Sequence, residues 1–139
     1  MVELLKFEDF DQMYSIMEKS FPYDEYRGYE GQKQLFENPE YKVFIHRNEE
    51  TKEVDGFLSA WEFDDILFFE HFAVSSKVRN GGIGGRMLRE ILTQVNKLTC
   101  LEVELPEGEL EKRRISFYER NGFFYNPYPY TQPSIAPGR

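Results

Sequence analysis

Between Val78 and Leu88 the chain reads VRNGGIGGRML, with four glycines inside five residues and an apolar helical pattern directly behind them. Glycines this dense let a backbone come close to a ligand. A strand, a glycine-rich turn and a helix together form a cradle for phosphate, because amide N–H groups point inward and the helix N-terminus carries about half a positive charge. Arg79 adds a full charge. The chemistry expected here is the holding of an anionic, phosphate-bearing ligand. A second chemical group stands just upstream. Glu70 lies in the apolar stretch FFEHFAV, where period two puts it on one face with Phe68, Phe72 and Val74 and turns His71 to the other. A carboxylate among phenylalanines has a raised pKa and suits a general base. The competing expectation is that Glu70 pairs with a cation or points to solvent.

The kind of phosphate loop can be narrowed. A Walker loop needs a lysine followed by serine or threonine, and none follows here. A dinucleotide fingerprint needs a third glycine where this chain has Met87, and the preceding strand ends a meander rather than opening a βαβ unit. What remains is R-x-x-G-x-G, namely Arg79, Gly82 and Gly84, behind the strand FFEHFAVSS. This resembles the central motif of the GNAT superfamily of acetyl-CoA-dependent N-acetyltransferases. CLEVE followed by RRISFYERNGFF resembles the family's next strand and helix, ending in a tyrosine ahead of a glycine-aromatic pair. Both matches keep the family's order and spacing, over roughly residues 54–124.

The resemblance implies a fold and a set of roles. The fold is a single α/β domain, a mixed and mostly antiparallel sheet flanked by helices and splayed at its central strands. Backbone groups of Phe72, Ala73 and Val74 pair with the pantetheine arm of acetyl-CoA, and an N–H near Phe72 polarises the thioester oxygen. The loop amides that hold the pyrophosphate are those of Arg79, Asn80, Gly81, Gly82, Ile83 and Gly84, with Gly85 and Arg86 beside them. Tyr118 resembles a general acid for the departing thiol, against the plain alternative of a helix tyrosine packing on the sheet. Glu102 matches the glutamate that is the base in the ribosomal-protein branch, against that of a solvated strand face shared with Glu104. Many members carry an asparagine where this chain has Glu111, so that position is given no cofactor role. The loop FPYDEYRGYE is where the family forms its acceptor site, which points to Tyr23, Glu25, Tyr26 and Arg27, and the late segment YNPYPYTQP is a second contributor. The activity implied is transfer of acetyl to a primary amine of a small molecule. The alternatives are a protein N-terminus or lysine as acceptor, or a non-catalytic CoA-binding module.

The elements that must position these groups can be read from periodicity. Val2 to Phe7 reads as a strand, and Asp9 with Gln12 as a capping box. Phe10, Met13, Tyr14, Met17 and Phe21 form one helical face, stopped by Pro22. A short helix is expected around Gln32 to Phe36. Strands follow at Tyr41 to Arg47, Val54 to Phe63 and Ile66 to Val74, joined by polar turns into a meander. Ile83, Met87, Leu88, Ile91, Leu92 and Val95 mark a helix, Thr99 to Leu105 a strand, Glu109 to Arg120 a helix closed by Asn121-Gly122, and Phe123 to Tyr125 a last strand.

Bulk properties set limits. At 139 residues and 40% hydrophobic content the chain suits one folded domain. Asp plus Glu number 25 against 17 Lys plus Arg, a net charge of −8, which argues against a nucleic-acid partner and a polybasic membrane anchor. Cys100 is the one cysteine, which suits a reducing cytoplasm, and no cysteine-histidine cluster suggests a metal. No signal peptide is expected at MVELLKFEDF and no membrane span anywhere. His46, His71, Arg113 and Arg114 read as structural or solvated groups. A monomer or homodimer is expected, and the proline-rich stretch after residue 125 reads as a truncated end.

Overall fold

The computed structural model describes residues 2–78, 81–102 and 108–123. Strand β1 (Val2–Leu4) leads through a 3-10 turn into helix α1 (Phe10–Ser20), and a second turn leads to α2 (Tyr29–Gln34), which runs on into a 3-10 turn at Leu35–Glu37. Strands β2 (Tyr41–Arg47), β3 (Val54–Glu62) and β4 (Ile66–Val74) follow, then α3 (Ile83–Gln94), β5 (Leu98–Leu101) and α4 (Glu109–Arg120). The five strands lie in one sheet in chain order, antiparallel from β1 to β4, with β5 parallel to β4.

The bounds of β2, β4 and α4 agree with the sequence pattern, because uninterrupted periodicity and flanking turn residues mark both ends. The expected capping box does not form. Arg47 takes the Asp9 carboxylate at 2.7 Å, and Gln12 Oε1 accepts from the Val54 N–H at 2.8 Å, so both side chains serve tertiary contacts instead. The first strand is shorter than expected, since Phe7 already turns into the 3-10 segment. The later part of the strand expected to Leu105, and Phe124 and Tyr125 of the last strand, lie outside the described residues. At the end of α4, Gly122 takes φ +96° and its N–H bonds the Glu119 carbonyl, the cap that Asn121-Gly122 announces.

Each face of the sheet buries its own core. On one, α1 presents Phe10, Met13, Tyr14 and Met17 to Ile45, Val54 and Phe57, and Tyr26 from the α1–α2 loop joins them. On the other, Ile83, Met87, Leu88 and Ile91 of α3 cover Leu58, Ala60, Leu67 and Phe69, with Phe72, Val74, Phe117 and Tyr118 packed alongside. Gly56 lets α3 come this close, because a Cβ there would stand 2.7 Å from the Met87 sulfur.

One irregularity decides where the functional side chains point. Across β3 and β4, Ser59 pairs with His71 but Ala60 pairs with Phe69, so Glu70 is an extra residue with no partner. This is a β-bulge, and it resets the alternation. Leu67 and Phe69 face α3, and so do Phe72 and Val74, while Glu70 and His71 both turn toward the α1–α2 loop, where Glu70 meets Arg27 and His71 meets Phe21 and Glu25. The expected arrangement, with Glu70 on the face of Phe72 and Val74 and His71 opposite, is therefore corrected. The Ser59 hydroxyl accepts from the His71 amide at 3.1 Å, satisfying a backbone group that the bulge takes out of the ladder.

Candidate active site

Glu70 is the hub of a half-buried polar cluster. Arg27 from the α1–α2 loop grips it with both guanidinium branches, Nη1 to Oε1 at 2.6 Å and Nη2 to Oε2 at 3.0 Å. The Trp61 indole N–H donates to Oε2 at 3.0 Å from the neighbouring strand. The Arg27 backbone is fixed by the Tyr14 hydroxyl, which donates to its carbonyl at 2.8 Å. Gln32 stands behind the guanidinium, its Oε1 3.5 Å from Nη1, and its amide donates to the Tyr41 hydroxyl at 2.7 Å. Tyr41 and Trp61 are cross-strand partners whose rings meet edge to face, so a row of side chains runs over the sheet from β2 to Glu70.

His71 completes the cluster. Its Nε2 lies 2.7 Å from the Glu25 carbonyl, which can only accept, so Nε2 carries a proton. Its Nδ1 is buried, has no hydrogen-bond partner among the described residues, and lies 3.4 Å from Glu70 Oε1. That is too long for a strong hydrogen bond, yet the two atoms face each other.

This environment reverses one expectation. Burial works to raise the Glu70 carboxyl, but it is outweighed by His71 (when Nδ1 is protonated), by the bonds and charge of Arg27, and by Trp61, which bring it down to about 2. Phe72, expected among the residues that raise it, is not on its face, because the bulge turns Glu70 away from Phe72 and Val74 and leaves only Phe68 of the expected set on the same side. The cation expected as the competing partner is Arg27.

The glycine turn sits on the opposite side of β4. Gly82 takes φ +73° at the N-cap of α3, a conformation that favours glycine. Space is open where a Cβ on Gly82 would lie, so nothing of the described protein fills the cradle there. The inner side of Gly84 contacts Val74, Phe72 and Phe117, at 3.5–3.8 Å for an added Cβ, which docks the turn on the end of β4 and on α4. The first amides of α3, those of Ile83, Gly84 and Gly85, have no carbonyl within the helix to bond, and Arg86 folds its guanidinium back to the Gly81 carbonyl at 3.1 Å. Arg79 and Asn80 lie outside the described residues.

Beside this turn lies the second half of β4. Pairing with β5 is recorded from Ile66↔Leu98 to Phe69↔Leu101, and β4 continues through Glu70–Val74 with no β5 partner among the described residues. Tyr118 stands on the α3 side of the sheet, its ring against Phe117 and Phe123. Burial pushes its hydroxyl up to about 12, Arg114 opposing weakly, so the phenol keeps its proton at neutral pH. Glu70 and Tyr118 thus flank the second half of β4 from opposite faces. Of the other residues singled out from the sequence, Glu102 is exposed just past β5 and Glu104 lies outside the described residues. Tyr26 is a core residue, Tyr23 and Glu25 are exposed on the loop, and Arg27 alone of the loop side chains grips Glu70. The cavity between α1, α2 and β2, lined by Phe10, Met13, Gln32, Tyr41 and Val43, holds none of the assigned site residues. Sequence reasoning missed Trp61, Gln32 and the turned His71, since no pattern announces a bulge one residue long.

Known proteins share this architecture. A solved structure of a "Putative acetyltransferase from GNAT family" of Bacteroides thetaiotaomicron is similar at a TM-score of 0.89 and 31% identity, covering 100% of this chain and 80% of that one. The aminoglycoside antibiotic 6'-N-acetyltransferase AAC(6')-Ih of Acinetobacter baumannii is similar in fold, with a TM-score of 0.73 at 11% identity over 97% of this chain and 98% of that one. YjbC of Bacillus subtilis (strain 168), named a "Putative acetyltransferase", is 36% identical over 64 residues, 45% of this chain, and the match spans only 33% of that protein. The Acetyltransferase (GNAT) family description matches residues 10–123, from the start of α1 to the end of the α4 cap. A match that takes in the glycine turn, the second half of β4 and the tyrosine of α4 leaves one assignment, that the chain belongs to the GNAT acetyltransferase family.

Proposed function

We propose that the protein transfers the acetyl group of acetyl-CoA to a primary amine of a small molecule. The observation that carries this reading is the open glycine cradle at the N-terminus of α3, docked on the end of β4 where no β5 partner is recorded among the described residues. The amides of Gly81 to Gly85, with Arg79 and Asn80, would hold the pyrophosphate, and the β4 backbone at Phe72, Ala73 and Val74 would pair with the pantetheine arm as an added strand does. When bound, acetyl-CoA supplies a thioester carbon for the amine nitrogen to attack, the C–S bond breaking as the C–N bond forms.

The chain's own groups then have separate tasks. An alkylamine arrives protonated at neutral pH, since its pKa is about 10.4. The Glu70 anion attracts that ammonium and takes its proton. It cannot do the second while His71 (when Nδ1 is protonated), Arg27 and Trp61 together hold it at about 2. Removing the guanidinium takes away two hydrogen bonds and the nearest positive charge, and leaves the burial that drives a carboxyl upward. Tyr118, held protonated, donates to the departing sulfur. Glu102, exposed beyond β5, is the alternative base.

The test is thiol release from acetyl-CoA across a panel of amines, beside thermal shifts with acetyl-CoA, NADH and ATP. At ligand 100 times the dissociation constant, binding adds about 2.7 kcal/mol. A shift with NADH or ATP and none with acetyl-CoA overturns the reading. Acetyl-CoA binding without transfer to any amine would leave a CoA-binding module, and preference for peptides over small amines would make the acceptor a protein.

A further inference from the structure

We infer that the acceptor is a zwitterion, an amine that carries its own carboxylate, whose ammonium docks between Glu70 Oε1 and His71 Nδ1 while its carboxylate takes over the Arg27 guanidinium. This rests on the acetyltransferase reading above and names the substrate class of that same site.

Three observations lead there. The first is the unpartnered imidazole nitrogen. With Nε2–H committed to the Glu25 carbonyl, Nδ1 faces Glu70 Oε1 at 3.4 Å, and in the form without a proton on Nδ1 its lone pair points at that oxygen. In that form two acceptor atoms face each other with no donor between them, and His71 is only 5% exposed. A buried acceptor is costly to leave unmet, and an ammonium with three N–H donors can serve both atoms at once.

The second is the charge balance. Glu70 and Arg27 are 10% and 21% exposed at their side chains and neutralise each other. A plain amine that drew Glu70 away would leave a half-buried guanidinium without its anion, which is strongly unfavourable. A zwitterion exchanges one ion pair for two, and the cluster remains neutral. The guanidinium fork is already set for a planar carboxylate, since that is what it grips at 2.6 and 3.0 Å.

The third is which parts are anchored. Glu70 keeps the Trp61 N–H when Arg27 leaves, and the Arg27 backbone stays on the Tyr14 hydroxyl. Only the guanidinium has to move. Its departure also unmasks the Glu70 carboxylate as a proton acceptor, so the substrate's carboxylate switches on the base that its amine needs. The proton passes from the ammonium to Glu70, and the freed nitrogen pair is the nucleophile. The balance needs no other reactant than the acyl donor already named.

The experiment compares α-, β- and γ-amino acids with their methyl esters and with plain alkylamines, by thiol release and by thermal shift of the protein with CoA present. The wild-type comparison of acid with ester needs no variant. The acids are expected to show KM at least tenfold below their esters, and Arg27→Met to erase that difference. Arg27→Lys keeps the charge but loses the fork, and should recover only part of the preference. Melting curves of both variants confirm that they fold. Esters or alkylamines that match the acids overturn the zwitterion and leave the acetyltransferase standing. An Arg27-dependent shift with amino acids but no transfer keeps the zwitterion site and overturns the enzyme reading. Neither transfer nor a shift with any acid overturns both.

Discussion

Glu70→Gln tests the cluster most directly, because the substitution keeps the shape and removes the charge. In the folded chain the carboxyl sits at about 2 against an ordinary 4.5. At about 1.4 kcal/mol per unit, that difference corresponds to about 3 kcal/mol of stability. The sign follows from a depressed carboxyl: the contribution is present above pH 4.5, and it is lost as pH falls through 2, below which folded and unfolded states are both protonated. The same figure is reached from the other side. Breaking a buried pair costs about 3–5 kcal/mol, and the 21% exposure of Arg27 places this pair at the low end. The variant is therefore expected to lose about 3 kcal/mol at pH 7, or about 10 °C of melting temperature at this chain length. At pH 3 the gap should shrink to less than half, about 1 kcal/mol. Urea denaturation of both proteins at the two pH values measures it. A variant that unfolds within about 0.5 kcal/mol of wild type at pH 7, or a gap that widens in acid, would show that the Arg27 grip does not hold the carboxyl down in solution. In the same variant turnover should fall by about 10²–10⁴, the usual worth of a general base.

Tyr118→Phe should retain acetyl-CoA affinity and melting temperature and lose turnover, toward the lower end of about 10²–10⁴. In wild type the pH–rate profile should show no loss from phenol ionisation below about pH 11, as a hydroxyl near 12 requires; full activity in the variant would leave the residue as packing alone. Gly56→Ala should destabilise by about 1–3 kcal/mol through overpacking, because the new methyl meets the Met87 sulfur. A double-mutant cycle with Met87→Ala should recover part of that loss, and strict additivity would contradict the contact. Gly82→Ala meets no atom, so its effect should be the strain of a positive φ, about 1 kcal/mol by urea denaturation, together with weaker acetyl-CoA binding by titration calorimetry; unchanged binding would place the cofactor elsewhere.

The parts of the molecule legible in its sequence are those set by unbroken local periodicity. Alternation from Tyr41 to Arg47 and the helical spacing of Phe10, Met13, Tyr14 and Met17 survive folding because each side chain buries in the direction the period assigns. The glycine turn was legible for a similar reason, since the φ of residue 82 favours glycine. Asp9 and Gln12 misled because a cap is worth about 1 kcal/mol, and partners distant in sequence, Arg47 and the Val54 amide, competed for the same atoms. Glu70 was legible as a candidate and not as an environment. Its residue type and strand could be read, but its direction depends on pairing with β3, and its pKa on an arginine 43 positions away. Tyr26 and Arg27 are adjacent in one polar-aromatic loop, and only their packing distinguishes the core ring from the charged grip.

The extra residue in β4 also bears on how such a site can arise and be lost. If position 70 were deleted, Phe69, His71 and Phe72 would fall into plain alternation, and each would keep the face it already occupies. Every apolar neighbour of the sheet could then remain where it is. The carboxylate is thus an insertion into an otherwise regular strand rather than a replacement of a core side chain. A length change of one codon separates the scaffold from this carboxylate, so descendants of this chain can shed or regain it by a single insertion or deletion while the hydrophobic layers on either side stay unaltered.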